Sequence, residues 1–447
     1  MLKILNKFNI LQQAQRGAVL MVMLVILIVG GSALLLNSLS NTALRFERDK
    51  ITADALIQAK EALIAYAVSV QISSANAANQ PRPGDLPCPD TNDDGYAEAS
   101  CGNATGSTQQ ANRLGRLPYK TLGLPDLRDS SNERLWYAIS NSFKYNTRST
   151  IPLNSDTPGT ISVRNADGSI QFDASAGNGV AGIVIAPGAA LQRNDQSAIQ
   201  DRSIAGINNP INYLDIVTSI EDNAAFIDST SNGFIHGIVK DNSGAIVLND
   251  QMLVVTVENI MGGVQKRVAG EVKKCLDDYA LSNNGRYPWA VPINSVPYND
   301  DTSQLFGRIP DDFTDTVAST GGFATSTGQW GICTTHFSNN PSTWWQNWRE
   351  MVFYGVASAY KPNNPPSAAP ICSVITPCLT VNPPSAASDK KYIIIVAGKT
   401  LPSQLPRITN SLVTYLEGGN QLADQSGGFI FIQSAPSATF NDSVVYK

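Results

Sequence analysis

The chain has 447 residues, 43% hydrophobic and only 15% charged, with 34 Gly, 25 Pro, 6 Cys and 2 His. That length leaves room for roughly three domains and more than one buried core. The 32 basic and 37 acidic residues give a formal charge of −5, which argues against a nucleic-acid partner. Two histidines leave little scope for imidazole chemistry.

The N-terminus carries the strongest signal. Residues 1–17 hold Lys3, Lys7 and Arg16 and no acid, and no ionisable side chain follows Arg16 until Arg45. Residues 18–36, AVLMVMLVILIVGGSALLL, can cross about 30 Å of hydrocarbon as a helix whose backbone groups are all bonded internally. The positive leader would stay on the cytoplasmic side, sending everything after the helix outward. A secretory signal and a plain membrane anchor are the two other readings of such a run. Residues 43–69 contain no Gly or Pro, and Phe46, Ala53, Leu56, Ile57, Leu63, Ile64, Ala67 and Val68 recur there at helical spacing. One long helix is expected, apolar first and amphipathic after.

Gln15-Arg16-Gly17 directly before Ala18-Val19-Leu20 resembles the class III signal of type IV pilins and type II secretion pseudopilins. The resemblance implies cleavage between Gly17 and Ala18 by a prepilin peptidase and methylation of Ala18. It also implies residence in the bacterial inner membrane as a single-pass protein with its heads in the periplasm. Other pilins or pseudopilins would pack against the N-terminal helix in a pilus or pseudopilus. RPGDLPCPDTNDDGYAE and GRLPYKTLGLPDLRDSSNERLWYAIS are similar to prepilin-type proteins of Gram-negative bacteria. One position departs from the family: Val22 stands where most pilins carry a glutamate as the fifth mature residue. A buried carboxylate normally demands a partner, so its absence suits a tip or priming subunit, or a chain that incorporates poorly.

Beyond residue 70 the chain repeats itself in order. ALIAYAVS (62–69) answers CLDDYALS (275–282), GRLP (115–118) answers GRIP (307–310), and ERLWYAISNSFKYN (133–146) aligns without gaps to EMVFYGVASAYKPN (350–363). GIVIAPG (182–188) then parallels YIIIVAGK (392–399), and NYLD (212–215) parallels TYLE (414–417). Ordered pairs of this kind indicate duplication. The predicted class is α+β: a prepilin leader 1–17, a transmembrane or filament-core helix 18–39, an amphipathic helix with a first α+β head 40–250, and a second head 251–447. Residues 264–282 are expected as the second head's shorter helix, and 133–146 and its repeat as apolar helices. FIHGIVK, AIVLND and MLVVTVENI are expected as strands, and 362–388 as a surface loop.

Cys88, Cys101, Cys275, Cys333, Cys372 and Cys378 all follow the apolar run, and an even number in an oxidising compartment suggests disulfides. Cys88 with Cys101 and Cys372 with Cys378 flank short loops, leaving Cys275 with Cys333; fifteen pairings are possible, and reduced buried thiols are the alternative. Between the first two lies Asp90-Thr91-Asn92-Asp93-Asp94-Gly95, with Glu98 beyond. Asp90, Asn92, Asp94 and Glu98 match the opening of a calcium loop, although the twelfth position is Cys101 and a metal-free Asx turn explains the same residues. No G-x-S-x-G, phosphate loop or H-E-x-x-H motif occurs. Cys333 and His336 are half a metal site at most, and His236 reads as a strand residue. Trp344, Trp345 and Trp348 suit either a sugar-stacking face or core packing. The expectation is a structural pilin-like subunit and not an enzyme, with a pilus-displayed adhesin as the second reading and an anchored periplasmic enzyme as a distant third.

Overall fold

The structure is a computed structural model and describes residues 43–71, 81–102, 113–146, 151–203, 206–225, 233–294, 304–310, 344–362, 369–422 and 430–447. The leader, the apolar run, Val22, Cys333 and His336 lie outside the described residues. What is described mixes helices with several small sheets, an α+β architecture.

The first helix, α1, covers residues 43–69. Thr52, Ala55, Leu56, Ala59, Leu63 and Ala67 form one buried stripe along it, three or four residues apart as a 3.6-residue repeat requires. Phe46, Ala53 and Ile57, expected among the apolar face, are exposed instead. The second helix, α2 (Val257–Ser282), begins before the expected residue 264 and takes in the VENI read as strand. Its start is fixed by a reciprocal cap: Thr256 Oγ1 accepts the Asn259 N–H at 3.2 Å, and Asn259 Oδ1 accepts the Thr256 N–H at 3.1 Å. The two helices touch where α2 has glycine. A Cβ on Gly263 would fall 2.6 Å from Val68 Cγ2, so only hydrogen allows this approach.

Two antiparallel four-stranded sheets repeat one plan. The first runs in the order Leu114–Arg116, Trp136–Ile139, Gly182–Ala186 and Gln251–Val255. The second runs Phe306–Arg308, Val352–Val356, Tyr392–Val396 and Ser443–Tyr446. The registers match residue for residue: Arg116 faces Trp136 and Tyr137 faces Val184, as Arg308 faces Phe353 and Tyr354 faces Ile394. In both, a glycine sits where the preceding loop crosses the edge strand. A Cβ on Gly115 would lie 2.6 Å from the Asp90 carbonyl oxygen, and one on Gly307 1.8 Å from that of Val291.

Three sequence expectations are corrected here. Trp136–Ile139 and Val352–Val356 are strands, not helices. They are apolar without alternation because both of their faces are buried: Tyr137 and Ile139 pack towards the helices, and Trp136 and Ala138 into a second cluster with Ile161, Val163, Tyr213 and Phe234. Gln251–Val255, assigned by sequence to the second head, is the fourth strand of the first sheet. The segment 362–388 is not wholly loop, because Leu379–Val381 pairs with Ser385–Lys390 on one side and with Ile430–Phe431 on the other.

One continuous apolar cluster joins α1, α2, the inner face of the first sheet and the second sheet. Polar contacts reinforce that junction. Ser155 Oγ donates to the Ala397 carbonyl at 2.9 Å. Asp156 accepts the Thr400 N–H and the Arg407 Nε–H, each at 2.7 Å. The two halves thus share a core in addition to a plan.

Candidate functional site

Among the described residues, nothing covers the first turns of α1. Every residue from 45 to 51 is exposed, and Leu44, Phe46, Ile51 and Ile57 are 58%, 71%, 44% and 46% accessible. Phe46, Ala53 and Ile57 recur seven and four residues apart, on the side of the helix away from Leu56 and Leu63. Apolar side chains exposed along one side of a helix form a candidate contact surface. Among the described residues no helix is long and apolar enough to cross a membrane.

The Asp90 loop is held together by its own backbone. Asp90 Oδ1 accepts the Asn92 and Asp93 N–H groups at 3.1 and 2.7 Å, and Oδ2 accepts that of Gly95 at 2.7 Å. Asn92 Oδ1 takes the Asp94 N–H and Asp94 Oδ1 the Tyr96 N–H. Glu98 Oε1 takes both the N–H and the hydroxyl of Thr91. Asp93 forms a 2.6 Å ion pair with Arg134. Burial raises the Asp90 carboxyl above its ordinary value, against the pull of the three amides that favour its charge. This is a nest of Asx turns, with the four oxygen-bearing residues of the calcium motif turned to separate amides. Among the described residues, no group of three or more His, Cys, Asp or Glu is placed to hold a metal ion.

Cys88 and Cys101 are bonded with Cα atoms 5.7 Å apart and close this loop; both are fully buried. Cys372 and Cys378 are bonded as well. Cys275 is buried in α2 and disulfide-bonded, while Cys333, expected as its partner, is outside the described residues. Trp345 and Trp348 are fully buried and Trp344 is 6% accessible, so these rings serve the core and leave no sugar-stacking face. His236 ends the strand Phe234–His236 and meets Gln171 at 3.2 Å; burial lowers its ring below the usual value. Arg16, Gly17 and Ala18 lie outside the described residues.

A buried polar assembly occurs twice, and sequence reasoning found only its NYLD and TYLE ends. In the first half, Asp250 Oδ2 accepts the Asp215 N–H at 2.9 Å and the Asn223 side-chain amide at 2.7 Å. Asn223 also bonds both backbone groups of Ile235, Asp215 takes the Asn249 N–H, and Gln200 reaches Asp215. In the second half, Asp442 Oδ2 accepts the Glu417 N–H at 3.1 Å and the Asn420 amide at 2.9 Å. Asn420 bonds Ile432, Glu417 takes the Asn441 N–H, and Gln404 reaches Glu417 at 2.7 Å. Arg202 and Arg407 lie over Tyr213 and Tyr415, and Arg116 and Arg308 stack on Trp136 and Phe353 at 4.3 and 4.0 Å. Burial pushes the Asp215 carboxyl up to about 6. Asp250 and Asp442 are held well above the carboxylate range, first by burial and then by the facing acid. The assembly pins the loop after the third strand of each sheet to the start of the fourth. Its hydrogen bonds hold these loops in place.

Comparison of the chain with protein-family models, with curated proteins and with solved structures found no match.

Proposed function

We propose that the chain is a pilin-like structural subunit, exported by a prepilin-type signal and assembled through its N-terminal helix into a type IV pilus or type II secretion pseudopilus, at the tip or in priming assembly. The observation that carries this reading is continuity along the chain. The basic leader with Arg16-Gly17-Ala18, the charge-free run and α1 follow without a break. The exposed start of α1 keeps Leu44, Phe46 and Ile51 in solvent, while its second half is anchored in the core by Leu56, Leu63 and Ala67. A helix gripped only at its far end is suited to carry a large head outside a membrane or filament.

The heads of this reading are the two duplicated sheet units, each with one helix, fused through a common core. Such a rigid double head is bulky for a repeated shaft position, and Val22 removes the charge that docks shaft subunits in the family, so both features favour a terminal position. The partners are then the prepilin peptidase, the inner membrane and other pilins or pseudopilins. Co-expression with a prepilin peptidase tests the reading. The leader is expected to be removed from the wild-type chain and retained by Gly17→Ala; a chain left intact in both cases would contradict it.

A further inference from the structure

Four pairs of an acid or an amide followed by glycine fall among the described residues: Asp94-Gly95, Asp167-Gly168, Asn178-Gly179 and Asn284-Gly285. Such pairs are chemically labile. Glycine has no Cβ to hinder its backbone nitrogen, which can reach the preceding side-chain carbonyl carbon and close a five-membered ring. An amide is the better starting group near neutral pH, because an ionised carboxylate resists attack. The fold then decides which glycine nitrogen is available.

In three of the pairs that nitrogen is already committed. The Gly95 N–H donates to Asp90 Oδ2 at 2.7 Å, the Gly168 N–H to the Asn165 carbonyl at 2.8 Å, and the Gly285 N–H to the Ala280 carbonyl at 2.9 Å. Asn284 is also held in the left-handed region, at φ 55°, in the turn after α2. Asn178-Gly179 differs. Asn178 is exposed, and neither its side chain nor the Gly179 N–H has a hydrogen-bond partner among the described residues. The Gly159 backbone runs beside Gly179 as an isolated bridge, without a bond of ordinary geometry. The turn before the pair is fixed: the Asn178 N–H donates to the Asp173 carbonyl at 2.9 Å and the Gly177 N–H to that of Ala174 at 3.2 Å. The second half has no counterpart. Tyr392 answers Gly182 in register, which puts Ser388-Asp389 at this position.

We propose that Asn178 is a site of spontaneous modification, deamidating through a succinimide closed by the Gly179 nitrogen. That nitrogen gives its proton to a solvent base and bonds to Asn178 Cγ, and the Cγ–Nδ2 bond breaks with release of ammonia. Water then opens the ring at either carbonyl, leaving aspartate or isoaspartate. Both products add a negative charge to a turn that already carries Asp173. Isoaspartate also threads the backbone through Cβ. The extra atom falls where a Cβ on Gly179 would already lie 2.4 Å from the Gly159 carbonyl oxygen. The modified chain is therefore expected to loosen the entry to the strand Gly182–Ala186, where the Val180 N–H donates to the Ile161 carbonyl at 2.9 Å. Nothing in this argument depends on the N-terminal signal, so a failure here leaves the filament reading untouched.

The test is peptide mapping by mass spectrometry of the full chain in detergent, aged at pH 8 in its folded state and, in parallel, in urea. In the folded chain the change from amide to acid should accumulate at Asn178 about tenfold faster than at Asn284, whose reacting nitrogen must first break its hydrogen bond. In urea the two sites should react at similar rates, since only the local sequence then counts. An isoaspartyl methyltransferase should label the peptide 165–193 of the aged folded chain and not that of Asn178→Gln. No change at Asn178 in the folded chain, equal or faster reaction at Asn284 there, or a label that persists on this peptide in Asn178→Gln would overturn the proposal.

Discussion

Asp250 and Asp442 hold equivalent places in the two halves: each accepts the backbone N–H of the preceding buried acid, Asp215 at 2.9 Å and Glu417 at 3.1 Å, and the side-chain amide of an asparagine. Both carboxyls are buried, and their second oxygens have no hydrogen-bond partner among the described residues. An ionised group in that setting is expensive, so each aspartate holds its proton to unusually high pH.

The sign of the resulting pH dependence is fixed. A carboxyl whose folded pKa is raised contributes stability that is complete below its unfolded value, near 4, and is lost as pH rises through the folded value. For Asp215 that window runs from about 4 to about 6, and for Asp250 and Asp442 it extends higher. Asp195, lowered by its bond to Arg193, and Asp277 and Glu258, where burial is outweighed by bonds that include those to Lys273 and Lys399, act only at more acidic pH. His236 opposes the trend weakly, since its lowered pKa costs stability below about 6.5. The midpoint of thermal unfolding is therefore expected to be lower at pH 8 than at pH 5, with Asp215 alone accounting for about 1.4 kcal/mol. Asp250→Asn, which mimics the protonated acid, should reduce the difference, with Asp442 in the other half still contributing. A midpoint that rises from pH 5 to pH 8 would contradict this account of the buried acids.

The close strand crossings predict a ranking. Gly307→Ala places a methyl 1.8 Å from the Val291 carbonyl oxygen, and Gly115→Ala places one 2.6 Å from that of Asp90. Both should destabilise, Gly307→Ala by more than about 2 kcal/mol and Gly115→Ala by less. Urea unfolding of the two variants measures the order directly. Equal, wild-type midpoints would mean that the loops do not cross the edge strands this closely.

The hydrogen bonds within the Asp90 loop predict that it folds without a metal. Asp90→Ala removes the acceptor for three backbone amides and is expected to cost about 1–3 kcal/mol. Removal of calcium with EDTA should leave the melting temperature of the wild type within a degree. A drop of several degrees, restored by calcium alone, would show that the motif's oxygens reorganise around an ion.

How much of this was legible in the sequence depended on how local each signal was. The α+β class and α2 follow from local periodicity, although Thr256 set the start of α2 earlier than the apolar pattern suggested. The ungapped pair 133–146 and 350–363 had the right register, since Trp136 and Phe353 do occupy the same place opposite Arg116 and Arg308. Its secondary structure was misread because a strand buried on both faces loses its alternation. Phe46 and Ile57 belong to a helix with apolar residues on two sides, and periodicity alone does not say which side the head covers. The buried acids were invisible for a different reason. Asp215, Asn223 and Asp250 look like ordinary loop polarity until the fold brings together positions up to 35 residues apart.

The central claim, that the chain is a processed pilin-like subunit, rests on residues 15–22 and is most directly tested by mass spectrometry of the N-terminus of the protein isolated from its native membrane. The account predicts a first residue at Ala18, carrying one methyl group on its amine. An intact Met1, or a new N-terminus after Ser32 or Ala33 without methylation, would contradict it.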